Sequence, residues 1–496
     1  MPSSPARPKW PGRGADHDGS GLAADRPGLR SRGMAMPPGN RPVILVVGGG
    51  YVGLYTALRL QRKLSRGRAE IVVVDPQPHM TYQPFLPEAA AGSVEPRHVV
   101  VPLRRTLNRC RVITGAVTGL THAEKRARIA PMEGATFELS YDVLVMAAGS
   151  VARTLPIPGL AEHGIGFKNV GEAIYLRNHV LARLDAASST DDPRVRTRAL
   201  TFTFVGGGYA GVEAFAELED MARYALTHYY PRLSPSDMRW VLVEASGRIL
   251  PEVDLDMAAW TVQQLTARGM DVRLNTRLDS VSPDGVVRLS DGGEFPSDTL
   301  VWTAGTKPNP MLTQTDLPLD GRGRVECEAT LQVRGTDDAW SAGDLAAVPD
   351  LTKSGSGVTT APNAQHAVRQ ARRLADNIVA VLAGEDPVPY KHEYVGSVAS
   401  LGLHKGVAQV YGVKLKGWPA WFMHRTYHVS RVPTFNRKAR VVADWTLASL
   451  FRREVVSLGQ LQDPRREFVF AANTGRAGQL PPPQAAASPS TRAESA

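Results

Sequence analysis

Residues 45–53 read LVVGGGYVG, and residues 203–211 read TFVGGGYAG. Each is a run of apolar and β-branched residues leading straight into G-x-G-x-x-G. The glycines are Gly48, Gly50 and Gly53 in the first copy, and Gly206, Gly208 and Gly211 in the second. In such a turn the first glycine permits a tight exit from a strand. The second lets the backbone approach a pyrophosphate, and the third lets the following helix pack on the strand. Leu54, Ala57, Leu58 and Leu60 continue the first copy at helical spacing, as Val212, Phe215, Ala216 and Leu218 continue the second. Strand, turn and helix occurring twice predict an α/β chain with two Rossmann-like dinucleotide-binding domains. Each pyrophosphate would sit on a helix N-terminus, where unpaired N–H groups and the helix dipole favour negative charge. Two dinucleotides in one chain imply electron transfer between them.

The strand after each turn should end in a ribose-binding acid. IVVVDPQ (71–77) ends in Asp75, 22 residues beyond Gly53, the usual distance. WVLVEAS (240–246) ends in Glu244, 33 residues past Gly211. The excess, ELEDMARYALTHYYPRL (217–233), reads as a lengthened helix with a loop. An acid at Glu244 would repel a 2′-phosphate, which favours NADH over NADPH. YDVLVMAAGS (141–150) reads as a strand ending at Gly149. AWSAGDLAAV (339–348) places Asp344 where a flavin ribityl chain could be hydrogen-bonded, and DTLVWTAGTKPNP (298–310) reads as the return from the second nucleotide unit to the first.

The chain has 496 residues, room for two or three domains. No run of about 18 uncharged apolar residues is present, so no membrane-spanning helix is expected. Residues 1–40 lack the apolar segment of a secretory signal and are expected to be a disordered extension, with residues 463–496 a second disordered tail. The two cysteines, Cys110 and Cys327, stand 217 positions apart. Two cannot ligate an iron–sulfur cluster, and that spacing makes no redox dithiol. No metal site is expected. A disulfide reductase and a sulfide:quinone reductase, which need reactive thiols, are both disfavoured.

The segments in this order resemble the flavoproteins in which an NAD(P)H domain interrupts an FAD domain. More narrowly, the chain resembles type II NADH dehydrogenase, the single-chain, non-pumping NADH:quinone oxidoreductase, from about Arg41 to about Leu461. Four segments carry the likeness: DPQPHMTYQPFLPEAAAG (75–92), GGGYAGVE (206–213), APNAQHAVRQA (361–371) and the run from GSVASLG (396–402) onward. The resemblance implies that Gly48, Gly50, Gly53, Asp75, Gly149 and Asp344 hold FAD. Likewise Gly206, Gly208, Gly211 and Glu244 would hold NADH, and the catalytic Gln365 and Glu213 would lie near the flavin and the quinone. His366 departs from the family pattern, where a small or β-branched residue is usual, and His404-Lys405 replaces the family's basic position. The expected division is 41–158 FAD domain, 159–298 inserted NADH domain, 299–389 FAD domain resumed, and 390–462 a C-terminal membrane-associating region.

Residues 414–453 hold nine Lys/Arg and one acid, Asp444, a surplus of eight in a chain whose net charge is +10. Aromatic residues are interleaved: Trp418, Trp421, Phe422, Tyr427, Phe435, Trp445 and Phe451. Trp418, Trp421, Phe422 and Arg425 have the spacing of one helix face, as do Val441, Trp445, Ala448 and Arg452. Rings among headgroups with basic stems reaching outward suit an anionic lipid surface. The alternatives are a solvated charged face over core aromatics, or nucleic acid, for which no motif is present. The expectation is therefore hydride transfer from NADH to FAD and two electrons on to a membrane quinone. The enzyme would be peripheral on the cytoplasmic face of the cell membrane, with a homodimer left open. The competing readings are a soluble FAD-dependent NAD(P)H reductase of an acidic protein carrier, and a non-catalytic NADH-binding flavoprotein.

Overall fold

The computed structural model describes residues 41–355, 357–392 and 395–458, with Arg465 and Val469 beyond them. The expected extension 1–40 lies outside the described residues, as does nearly all of the expected tail 463–496.

Wholly apolar runs become buried central strands. Val43–Val47 lies between Glu70–Asp75 and Val143–Met146, all parallel. Ala339–Ser341 and Arg111–Thr121 flank them in parallel, and Arg126–Pro131 and Phe137–Ser140 complete a seven-stranded sheet as antiparallel hairpins. The second sheet has five strands, all parallel, in the order Gly164–Gly166, Thr299–Trp302, Thr201–Val205, Arg239–Val243 and Asp271–Arg273. Such parallel sheets need cover on both faces, which explains their continuous apolar runs. Phe202 stacks on Trp240 at 4.3 Å, and Phe204 and Phe215 close around them beneath the helix Tyr209–Tyr229.

The chain leaves the first sheet after Met146 and re-enters it at Ala339–Ser341, beside the strand it left. The second sheet is thus an insertion in the first, as expected. The return falls later than residue 299, because Thr299–Trp302 pairs with Thr201–Val205 and belongs to the inserted sheet. The long gap before Glu244 is the 21-residue helix Tyr209–Tyr229 followed by a short 3₁₀ turn.

After the helix Ala364–Leu382 comes a three-stranded antiparallel sheet, Gly396–Ser400, Gly406–Val410 and Val413–Lys416. Two helices follow, Trp418–Arg431 and Phe435–Leu450. Among the described residues no helix is long and apolar enough to cross a membrane. The Trp418, Trp421, Phe422, Arg425 set does not form one face. Trp421 and Arg425 are buried, with the guanidinium 4.1 Å over the indole, whereas Trp418 and Phe422 stack on each other at 5.5 Å on the exposed side. Burying the arginine against two indoles and Glu88 lets a charged position join the inner face.

Candidate active site

The two glycine turns are built alike. Gly48 and Gly206 have φ of +102° and +116°, in the left-handed region that glycine tolerates. A Cβ on Gly53 would lie 1.8 Å from the Gly48 carbonyl oxygen, and one on Gly211 would lie 2.0 Å from that of Gly206. These third glycines are therefore demanded by helix–strand packing. Gly50 and Gly208 differ, since a Cβ there would meet no protein atom within 4 Å. Each is the N-cap of its helix, with no side-chain cap and no acid in the first turn. By contrast, the helix Val170–Ser188 has a full capping box from Asn169 and Glu172. The glycine turns thus leave open space at two uncapped helix N-termini, a cradle suited to pyrophosphate.

The two acids also match. Asp75 accepts from the Gly49 and Gln77 N–H groups, both at 2.6 Å. Glu244 accepts from Gly207 N–H at 2.6 Å and Ser246 N–H at 2.7 Å. Burial pushes the Asp75 carboxyl above its usual range, while its two N–H donors oppose this. Gly149 has φ of +69° and open space beside it. Asp344 accepts from Ser150 Oγ at 2.7 Å, and Ser150 Oγ in turn accepts from Lys168 Nζ at 2.8 Å.

Between these turns lies a cavity of about 460 Å³, with Tyr51 from the first and Tyr209 from the second on its wall. Asp344, Gln365 and Glu213 also line it, together with His428 and Arg431 of the Trp418–Arg431 helix. The Tyr51 hydroxyl is buried and has no hydrogen-bond partner among the described residues. An orphaned hydroxyl on the wall, beside open N–H groups and a Gly-Asp turn, fits a flavin dinucleotide reaching in from the first turn.

Gln365 follows the N-cap Asn363 of the helix Ala364–Leu382. Its Nε2 donates to Gly396 O at 3.3 Å, and its Oε1 accepts from Val395 N–H at 3.2 Å. Gly396 and Val395 thus hold the amide at the cavity wall, and among the described residues the second Nε2 hydrogen has no acceptor. Glu213 is buried, accepts from Ser400 N–H at 2.9 Å, and lies 3.0 Å from His424 Nε2. His366 has a structural role, with Nδ1 2.9 Å from the Tyr390 hydroxyl. Lys405 pairs with Asp220 at 3.0 Å and is absent from the cavity wall.

Reading the sequence missed the groups around Glu213. Glu88 sits in the quoted segment 75–92 without attracting notice, and His424 and His428 stand four apart in an amphipathic run. Two histidines one turn apart on a buried helix face were the available signal. Lys168 and Tyr51, on the cavity wall, were missed as well.

Residues 42–371 match the family model of pyridine nucleotide-disulphide oxidoreductases, and the chain belongs to that family. The expected kinship within it is borne out. The chain is similar to the type II NADH:quinone oxidoreductase of Mycobacterium tuberculosis, 28% identical over 84% of this chain and 90% of that protein. It is 30% identical to a demethylphylloquinone reductase of Synechocystis, over 82% of this chain and 96% of the relative. NDH2 of Plasmodium falciparum, solved with NADH, shares the fold with a TM-score of 0.77 at 16% identity, covering 84% of this chain and all of that one. The family's name includes disulphide chemistry, yet Cys110 and Cys327 are both free thiols here and burial raises both, that of Cys110 to about 12.

Proposed function

We propose that this chain is an FAD-dependent NADH:quinone oxidoreductase of type II, which moves two electrons from NADH to a membrane quinone without pumping protons. The observation that carries this is the convergence of both glycine-turn helices, Gln365 and the C-terminal sheet on one cavity. On this reading the first sheet's turn, with Gly48, Gly50, Gly53, Asp75, Gly149 and Asp344, holds FAD. The inserted sheet's turn, with Gly206, Gly208, Gly211 and Glu244, holds NADH. Bound there, FAD supplies a carrier that accepts a hydride from one partner and reduces another. The protein's part is to orient the two partners and exclude water, because hydride transfer depends mainly on approach. Gln365 donates its second amide hydrogen to a quinone carbonyl, and Glu213 supplies or positions a proton beside it.

The same reading places the enzyme peripherally at the cytoplasmic face of the membrane. Exposed Trp418, Phe422, Phe435, Leu447, Leu450 and Phe451 lie among basic residues of the two C-terminal helices. Three of the nine basic residues are occupied inward: Lys414 by Asp254 and Asp256, Arg425 by Glu88, and Arg453 by Asp220. Of the other six, Arg431 lines the cavity, and Lys416, Arg437, Lys438, Arg440 and Arg452 are the ones assigned to anionic lipid, worth on the order of 1 kcal/mol each near such a surface.

Stopped-flow absorbance on the purified protein tests the reading. NADH is expected to bleach the flavin, and a quinone to restore its colour. Gln365→Ala should slow the restoring step roughly tenfold, the loss of one hydrogen bond, and leave bleaching intact. A colourless protein that takes up no FAD sinks the proposal, as does a Gln365→Ala variant that loses bleaching instead.

A further inference from the structure

The helix Tyr209–Tyr229 carries Glu213 and Glu217 one turn apart on a buried face. Glu88, from the short helix Leu86–Ala90, is buried beside them. Three buried carboxylates in one place require compensating charge, since an uncompensated buried ion costs several kcal/mol. Arg425 takes Glu88 at 3.0 Å, and the Trp445 indole N–H donates to the same carboxylate at 2.7 Å. Arg453 lies 4.0 Å from Glu217, and Ser400 Oγ donates to that carboxylate at 2.5 Å. For Glu213 the partner at ion-pair distance is His424, whose Nε2 is 3.0 Å away. The other ring nitrogen of His424 lies 3.9 Å from Glu88 Oε1, the ring is only 1% exposed, and among the described residues neither ring nitrogen makes an aligned hydrogen bond, so carboxylates surround it at charge-pairing distance. Protonated, His424 closes the charge balance of the cluster.

Glu213 lines the cavity and His424 lies directly behind it. We infer that His424 holds the proton that completes quinone reduction and that the Glu213 carboxylate, between it and the cavity, relays that proton forward. This rests on the quinone reading above. The balance is NADH + H⁺ + quinone → NAD⁺ + quinol. Two electrons and one hydrogen originate in the NADH hydride, and both quinone C=O groups become C–OH. The remaining hydrogen is the proton of His424, relayed through the Glu213 carboxylate to the quinone oxygen, and solvent then reprotonates His424. His424 does not touch the quinone, so it is a positioning and proton-holding residue.

The neighbours of His424 set its pH response. Burial lowers its affinity for the proton, but Glu213 first, then Glu88 and Glu217, outweigh burial and lift it above the ordinary histidine range. On its own helix, Arg425 is engaged by Glu88, and His428 is held well below its usual value by burial and by the charge on His424. From other elements, Arg453 and Asp220 face Glu217's side of the cluster. His424 therefore keeps its proton to a higher pH than an ordinary histidine and loses it as pH rises past that raised value.

The test separates the two steps by stopped flow across pH. In wild type the quinone-driven return of flavin colour should slow at alkaline pH, while NADH-driven bleaching should not follow the same curve. His424→Gln should slow the quinone step roughly 100-fold at neutral pH, the scale of a general acid, and abolish its alkaline limb. Identical pH profiles for His424→Gln and wild type overturn the inference. Should His424→Gln fail to retain flavin, Glu217→Gln replaces it. Removing one of the lifting charges must then shift the alkaline limb to lower pH, and an unmoved limb overturns the inference. A nitrogen-15 histidine NMR titration without NADH or quinone reads the same group directly, and a His424 imidazole that titrates at or below the ordinary histidine value overturns it. Wild-type flavin that bleaches but is not restored by any quinone refutes the quinone reading itself, which is a different failure.

Discussion

The glycines of each turn divide into two physical kinds. Gly53 and Gly211 have a carbonyl oxygen where a Cβ would stand, so Gly53→Ala and Gly211→Ala must push strand and helix apart. Gly50 and Gly208 face empty space on the protein side, at helix ends with uncapped N–H groups. Gly50→Ala should leave the thermal midpoint of the cofactor-free protein within about 1 °C of wild type, yet weaken FAD uptake at least tenfold, because the methyl occupies pyrophosphate space. Gly53→Ala should lower that midpoint by several degrees, in line with an overpacking cost of roughly 1–3 kcal/mol. Differential scanning fluorimetry of cofactor-free protein, paired with flavin titration, distinguishes them. Equal effects of both variants on the midpoint would show that the space at Gly50 is not a ligand cradle.

At the scale of elements, the two C-terminal helices present two unlike faces. The inner face delivers His424, Arg425 and Trp445 to the buried carboxylates, and Asp444 ties the second helix to the body through His98 at 2.6 Å and Glu95 N–H at 3.1 Å. The outer face leaves Trp418 and Phe422 about half exposed and Phe435 83% exposed. Replacing Trp418 and Phe422 together by Ser should cut binding to anionic liposomes at least tenfold and leave NADH-driven bleaching unchanged. Binding should also weaken as salt rises, because the basic part of the attraction is screened over about 10 Å at 0.1 M. Flotation in a salt series reads both, and undiminished flotation of the double variant would remove these helices from the membrane contact. The sequence made this pair of helices legible as basic and aromatic, since composition is local. It could not show which aromatics turn inward. That depends on Glu88, more than 320 positions earlier, accepting Arg425 into the interior. Both dinucleotide turns and their acids were readable for a related reason, that strand, turn, helix and acid lie within one short stretch of chain. The Glu213–His424 pair joins positions 213 and 424, and only the fold brings them together.

Over the whole molecule, the inserted sheet is fastened by a strand that the chain reaches late, Thr299–Trp302, and by the helix Val170–Ser188 packed against it. His179 on that helix meets Thr299 Oγ1 at 2.9 Å in a buried site. Burial, reinforced by the Arg183 charge, depresses His179 to about 4, with Asp298 acting weakly the other way. The native state therefore holds His179 neutral, whereas the unfolded chain protonates it near the ordinary value of about 6.5. Its contribution is complete above about 6.5 and is lost as pH falls from there to about 4, a span worth on the order of 3 kcal/mol. His424 has the opposite sign: a raised value gives stability that is complete below about 6.5 and lost as pH rises through the folded value. The two histidines should thus shape opposite limbs of the stability curve, one anchoring the inserted sheet and one the C-terminal helices. Thermal midpoints measured from pH 8.5 down to 4.5 should fall on the acid side in wild type. That acid slope should flatten in His179→Asn, with the alkaline slope retained, while His424→Gln should flatten the alkaline slope and keep the acid one. An acid slope unchanged in His179→Asn would mean that the loss below about pH 6.5 originates in groups other than this buried imidazole.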